Sequence, residues 1–451
     1  MEKIKLGENI YNLKKINSNL QLKNEIVKNK IIKLEFNKEN IEIKNYKKPL
    51  IILALICKNK EIIIKEILES VVSIIDYLII CDVGSTDNSS KIILNFFKEH
   101  TISGELYYDD WKGLDINKTL LFDRCYKKGD YILYLDDTNI LCGNLKLFFN
   151  ETKSGKKKYY AIHKNGSNIN KVEFLFNANY KWKFCGLLYN KTKCLDLDEN
   201  NNMNDDNIYN DIDGDGNEDD DLLNQKFYLI SKNNEINSIN INKYYDDALK
   251  LREQFFNTLI DDPDNLNSHS IFYIAQSYRD ANKFEQSIQY YSLYTKLNNI
   301  NKEELFESYM NLSRLHIKYN KFPNKIIEYY INAINLFNDR AEPFYELGTY
   351  FNKIKNYEDA YNFFINAKEK DFEKVKNKYK LCINENCYNK YIYDELSVCC
   401  YYLEKYEEGL FYLVQIIDDK DFISHKERLL TNLNFFEIKI KEKEREKFII
   451  I

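Results

Sequence analysis

Two clusters of carboxylates, each at the end of an apolar run, are the residues best placed to do chemistry. In Ile79-Ile80-Cys81-Asp82-Val83-Gly84-Ser85-Thr86-Asp87-Asn88-Ser89, the apolar run over 77–81 stops at an Asp, and a Gly, two hydroxyls, a second Asp and an Asn follow. In Gly129-Asp130-Tyr131-Ile132-Leu133-Tyr134-Leu135-Asp136-Asp137-Thr138-Asn139, a β-rich stretch ends in two adjacent carboxylates. Ligands of open α/β sheets sit just beyond the carboxyl ends of the strands. Asp82 and Asp87 would stand there and could accept hydrogen bonds from a uracil or a ribose. Ser85 and Thr86 could donate to the same ligand or cap the following helix. An ordinary strand with a capped turn accounts for the same residues without a ligand.

The elements that must position these groups read as alternating strands and helices. Leu53–Cys57 is a continuous apolar run of the kind found in buried parallel strands. Ile64, Ile67, Leu68, Val71 and Val72 then recur with helical spacing, as do Ile92, Ile93, Phe96 and Phe97 after the first carboxylate cluster. Lys58 and Asn59 fall between a strand and a helix, as loop and cap or as ligand contacts. Ile102–Tyr108 suggests a turn and a short strand, and Ala161–His163, Val172–Phe176 and Phe227–Ser231 suggest further strands.

From Leu266 the pattern changes to helical repeats. Blocks such as Phe272–Asp280, Tyr309–Tyr319, Phe344–Tyr350 and Asp394–Leu396 place small and aromatic residues at recurring offsets, and Phe284 and Tyr357 are about two ~34-residue repeats apart. Small residues let paired helices approach and aromatics fill the gap between them. Most of these aromatics therefore read as core, with Gln276 and Arg279 left to line the concave face or to dock onto the preceding domain.

Asp-Val-Gly-Ser-Thr-Asp-Asn-Ser resembles the Asp-Thr-Gly-Ser-Thr-Asp-Gly-Thr signature of the family 2 glycosyltransferases, in the subgroup that joins such a domain to tetratricopeptide-like helices in bacteria and giant DNA viruses. The resemblance runs from about Leu53 to Phe436, with a gap near 196–222. Trp111, Asn117, Thr119 and Leu120 match the subgroup's Trp-x-Asn-Phe-Gly-x-Asn-Arg-Thr-Leu, with Lys118 in place of the Arg. Ala275–Asp280 nearly repeats its Leu-Ala-Gln-Ser-Tyr-Arg-Asp. The resemblance implies a GT-A-like α/β nucleotide-sugar-binding domain followed by an all-α TPR-like superhelical domain. It implies transfer of a sugar, with inversion, from a nucleotide-sugar, UDP above all, to a protein or glycan acceptor. The nucleotide-sugar would lie near Asn59, Asp82, Ser85, Asp87, Trp111, Asn117 and Lys118, the last facing the diphosphate. Mn2+ or Mg2+ would sit at the family's Asp-x-Asp motif, here Asp136, Asp137 and Thr138.

Two positions depart from that family. Thr138 stands where the motif has its last Asp, and a hydroxyl is a weaker ligand for a hard cation than a carboxylate. Asn190 stands where the subgroup has a Glu, so the general base has no owner among the matched positions. Asp115, with Asp109 and Asp110 nearby, is the candidate, acting alongside Asp136 and Asp137 as catalytic groups. The alternative is a catalytically inactive, glycosyltransferase-derived protein that works as a TPR-type protein-binding module.

Composition sets the outer bounds. At 451 residues with 44% apolar and 30% charged residues, two or three domains are expected. A formal charge of -5 makes no electrostatic case for nucleic acid. The ten cysteines do not follow a scaffold spacing, and five scattered histidines form no zinc-like set. No apolar run reaches the ~18 residues of a membrane span, so a cytoplasmic protein is expected, in the host cytoplasm if viral. The organisation expected is an extension over 1–47, a GT-A-like domain over 48–240 and TPR-like repeats over 241–451. Residues 196–222 form an acidic insertion in the GT-A-like domain. Within it, Asp211–Gly216 copies the first half of a calcium loop. Leu222 then stands where the bidentate Glu is required, so a disordered acidic loop is expected, with a weak calcium site as the alternative.

Overall fold

The computed structural model describes residues 2–6, 9–13, 24–26, 30–34, 49–143, 157–185, 191–195, 227–231, 241–261, 268–298, 300–319 and 322–449. The chain divides into two compact units, Met1–Asn165 with Lys171–Asn240, and Gly166–Asn170 with Ile241–Ile451. The acidic insertion with its half calcium loop and the Gly186–Asn190 stretch lie outside the described residues.

The first unit carries strands β1 (Glu2–Leu6), β2 (Asn9–Leu13), β3 (Asn24–Ile26), β4 (Lys30–Leu34), β5 (Ile51–Cys57), β6 (Tyr77–Asp82), β7 (Ser103–Tyr108), β8 (Tyr131–Leu135), β9 (Asn139–Gly143), β10 (Lys158–Asn165), β11 (Asn168–Asn177), β12 (Trp182–Cys185), β13 (Lys191–Cys194) and β14 (Phe227–Ser231). Helices α1 (Ile64–Val71), α2 (Ser89–Glu99) and α3 (Leu114–Cys125) follow β5, β6 and β7. The main sheet runs β3-β4-β7-β6-β5-β8-β11-β10-β14-β9, and β7, β6, β5 and β8 are parallel. β1 and β2 form a separate hairpin, and β12 and β13 another.

Alternation along the central strands explains why they read as unbroken apolar runs. Leu53, Leu55, Leu78, Ile80, Leu133 and Leu135 join one core with Ile64, Ile67, Phe96 and Phe97 of α1 and α2. Their neighbours Ile52, Ala54, Ile79, Cys81, Ile132 and Tyr134 join a second core with Leu121 and Phe122 of α3 and Trp182 and Phe184 of β12. A strand covered on both faces has no polar side to show. All the parallel strands end at the same edge, which brings Asp82 and the Asp136–Asp137 pair to that edge.

The second unit is helical, as the repeat pattern predicts. It contains α4 (Ile241–Asp261), α5 (Ser268–Asp280), α6 (Phe284–Tyr294), α7 (Lys302–Tyr319), α8 (Pro323–Leu336), α9 (Glu342–Lys353), α10 (Tyr357–Lys368), α11 (Phe372–Lys378), α12 (Tyr391–Tyr402), α13 (Tyr406–Val414) and α14 (Lys426–Ile449). The pairs α5/α6, α7/α8, α9/α10 and α12/α13 are helical hairpins. Three of them turn in the same way: Asn282, Lys355 and Glu404 take positive φ, and the next residue's amide reaches back to the carbonyl of Tyr278, Phe351 or Cys400. That is the left-handed helix stop with its six-to-one hydrogen bond. The small residues work as the pattern requires: a Cβ on Gly348 would stand 2.9 Å from the Phe364 ring, and one on Gly409 would stand 2.5 Å from that of Phe436. The observed architecture is thus a GT-A-like α/β sheet unit followed by TPR-like helical repeats.

Candidate functional site

The loop after β5 and the loop after β6 are clasped together by the groups that the sequence marks for a ligand. Asn59, in the left-handed region at φ 53°, donates its amide to Ser85 Oγ at 3.0 Å. Its Oδ1 accepts the Thr86 amide at 2.8 Å and the Thr86 hydroxyl at 3.3 Å. Asp87 Oδ2 accepts the Glu61 amide at 3.1 Å, and Glu61 Oε2 accepts the Asn88 amide at 2.9 Å. Asp87 Oδ1 accepts the Ser89 hydroxyl at 2.6 Å and the Ser89 amide at 3.0 Å. Burial raises the Asp87 pKa, but these hydrogen bonds outweigh it and hold the carboxyl below its usual range. Asp82 is buried, and it accepts the Ser85 amide at 2.7 Å and the Ser90 hydroxyl. Ser85 and Thr86 therefore face Asn59 rather than capping α2, whose cap position is Asn88.

Trp111 stands on the next loop, 51% exposed. Buried Asn117 shapes that loop, accepting the Lys112 amide at 2.8 Å and donating to the Asp110 carbonyl at 3.0 Å. Asp109 anchors its start: the Asp109 amide donates to the Asp82 carbonyl at 2.9 Å, and the Arg124 guanidinium grips its carboxylate. The Asp115 Oδ1 is buried without a hydrogen-bond partner, 3.0 Å from where a Cβ on Gly113 would stand.

At the end of β8 a second group forms that sequence reasoning resolves only in part. The Lys118 ammonium lies 3.9 Å from the centre of the Tyr134 ring and 4.4 Å from that of Phe184. Among the described residues it makes no hydrogen bond or ion pair. Burial pushes its pKa down, against the upward pull of Asp136 and Glu173. Tyr134 Oη donates to Asp136 Oδ1 at 2.9 Å. Asp136 itself is exposed, and Asp137 and Thr138 are half-buried. Lys60 Nζ lies 3.3 Å from Asp137 Oδ1.

His163 of β10 also feels the Asp136 charge, but burial dominates and lowers its pKa, keeping the ring neutral near pH 7. Its Nε2 is 2.7 Å from Ser231 Oγ. Lys60, Tyr134, His163, Glu173 and Phe184 were not singled out for this site by the sequence. The available signal was positional, since Tyr134 precedes Asp136 by two residues in a strand and so shares its direction.

A hard divalent ion needs several oxygen ligands facing one point. Among the described residues no three His, Cys, Asp or Glu side chains converge in that way. Asp137 is paired with an ammonium, Asp136 accepts a phenol, and the third position is a Thr hydroxyl.

No family model matches the chain, and no curated protein matches it. Several solved structures are similar over less than half of its length. BtubC (BKLC) from P. vanneervenii is 14% identical, covering 46% of this chain and 87% of that one at a TM-score of 0.34. A tetratricopeptide repeat protein from Parabacteroides merdae is 16% identical over 46% and 73% at 0.32, and MamA is 13% identical over 47% and 98% at 0.28. Among the described residues, no helix is long and apolar enough to cross a membrane.

Proposed function

We propose that this chain is a glycosyltransferase-derived binding protein. Its sheet unit holds a nucleotide diphosphate or nucleotide-sugar, UDP-based for preference, at the strand ends, and its helical repeats hold a protein partner. The observation that carries this reading is the state of the polar groups at those ends. Asp82, Asp87, Asn59 and Glu61 are engaged in clasping two loops, and Asp137 is paired with Lys60. Lys118 is the exception, a desolvated ammonium whose donors have no anionic acceptor among the described residues. A desolvated cation of that kind favours an anionic ligand. The repeats support the second half, because stacked helical hairpins offer extended surfaces for a polypeptide.

Sugar transfer by the same pocket is the second reading, and His163 favours it. A neutral imidazole within the field of Asp136 can take a proton from an acceptor hydroxyl. Incubation of the full chain with UDP-sugars, reading both UDP binding and UDP release, separates the two readings. Binding without release over hours supports the binding protein. Release that His163→Gln abolishes supports transfer. Release gained only in Thr138→Asp would mean that one missing ligand had silenced an enzyme.

A further inference from the structure

The carboxylates at the end of β8 stand beside two ammonium groups from different elements. Lys60 follows β5, the strand paired in parallel with β8 through Leu55 and Leu135, so its side chain reaches Asp137 across one strand spacing. Lys118 comes from α3 and lies over the ring of Tyr134, whose hydroxyl bonds Asp136. We infer that Lys60 and Lys118 take the place of the divalent metal, and that this pocket binds a diphosphate without any metal ion. The inference rests on the nucleotide reading above and adds how the phosphate charge is met.

Three physical points support it. A divalent ion placed between Asp136 and Asp137 would add two positive charges next to two ammonium groups, at distances where such repulsion is strong in a partly buried site. The Lys60–Asp137 pair would have to break first. A diphosphate reverses the balance, because its oxygens offer Lys118 the charged acceptors it lacks, in surroundings where charge-assisted hydrogen bonds are strong. Lys60 can keep Asp137 and still donate to the same phosphate, since its ammonium carries three donors on a flexible four-carbon stem. The aromatic walls, Tyr134 and Phe184, hold the Lys118 charge in place.

The test is calorimetric titration of the full chain with UDP and with inorganic pyrophosphate, in EDTA and then in manganese. Both ligands should bind in EDTA, and manganese, which itself complexes a diphosphate in solution, should leave the dissociation constant unchanged or raise it. Lys118→Met should weaken binding by about tenfold or more, the loss expected for a charge-assisted hydrogen bond. Lys118→Arg, which keeps the charge, should stay within about threefold of the wild type. Binding that appears only with manganese would overturn the lysine inference while leaving the nucleotide reading intact. So would unchanged binding in both Lys118→Met and Lys60→Met. No binding of either ligand in either condition would remove both. The metal comparison uses the unaltered chain, so misfolding of a variant cannot decide it.

Discussion

Each unit of this protein packs a cation against aromatic rings, and the two are treated in opposite ways. In the repeat unit Arg340 is 0% exposed and fully matched. It makes a fork to Glu342 at 2.9 and 3.1 Å, reaches the carbonyls of Leu381 and Cys382, and stacks on Phe306. Glu342 also accepts the Asn384 amide at 3.0 Å and the Tyr388 hydroxyl at 2.7 Å. Arg314 of α7, a more exposed cation, makes a similar fork to Glu346, which also accepts the Tyr330 hydroxyl. In the sheet unit Lys118 meets two aromatic rings and, among the described residues, no carboxylate oxygen. A buried charge whose partners are all supplied by the chain is architecture. One that is desolvated and lacks an anion marks a site that an outside group completes.

The largest effect should come from disturbing the matched cation. Glu342→Ala leaves Arg340 charged, buried and without its fork, and releases the Asn384 amide and the Tyr388 hydroxyl. Loss of one partner of such a pair costs about 3–5 kcal/mol. Urea unfolding of the full chain, followed by helical circular dichroism, should show the helical transition moving to lower denaturant by that amount. A shift below about 1 kcal/mol would mean that the network is solvated after all, and the contrast between the two cations would lose its basis.

Lys118→Met should do the reverse. It removes an unmatched charge and keeps the volume, so the variant should be the more stable protein without ligand. The pH dependence has a definite sign. The native pKa of Lys118 is lowered and the unfolded value is near 10.5, so the unfolded chain holds more protons between them. The charge penalty is complete below the native pKa and is relieved as pH rises through the window towards 10.5. Wild-type stability should therefore catch up with the variant as pH climbs through that window. Thermal melts at several pH values check it. Pyrophosphate at one concentration should raise the wild-type midpoint more than that of the variant. A variant less stable than the wild type at every pH would show that the ammonium is structurally satisfied.

The same contrast marks how far the sequence could be read. The strand, loop and helix around Asp82 were legible, because an apolar run stopping at a carboxylate and then changing period has few other meanings. The repeats were legible because a small residue opposite an aromatic recurs, as Gly348 and Phe364 do. The Lys118 cage was not. It joins α3, β8 and β12, and the strand that holds Tyr134 is covered on both faces, so hydrophobic alternation carries no mark of which face a residue takes. Lys60 was passed over for a related reason: its link to Asp137 depends on β5 lying beside β8, which is a fact of strand order. Asp82 and Asp87 were legible as a cluster, but the pattern does not tell a ligand contact from a loop clasp, since both use the same carboxylates and hydroxyls.

The smallest effect, at Asn59, resolves that last ambiguity. Asn59 sits at φ 53°, where most side chains are strained and glycine is not. Its Oδ1 ties the two loops through Thr86. Asn59→Gly removes the tie and keeps the backbone at ease, so it should cost about 1 kcal/mol, the net worth of one such hydrogen bond. Asn59→Ala removes the tie and adds the left-handed penalty, about 1–2 kcal/mol more. The difference between the two variants isolates the backbone, and the glycine variant alone isolates the side chain. UDP binding measured on both then discriminates. If Asn59 only clasps the loops, affinity should fall little in the glycine variant and further in the alanine variant, following stability. If the amide itself holds the nucleotide, both variants should lose affinity equally, whatever their stability.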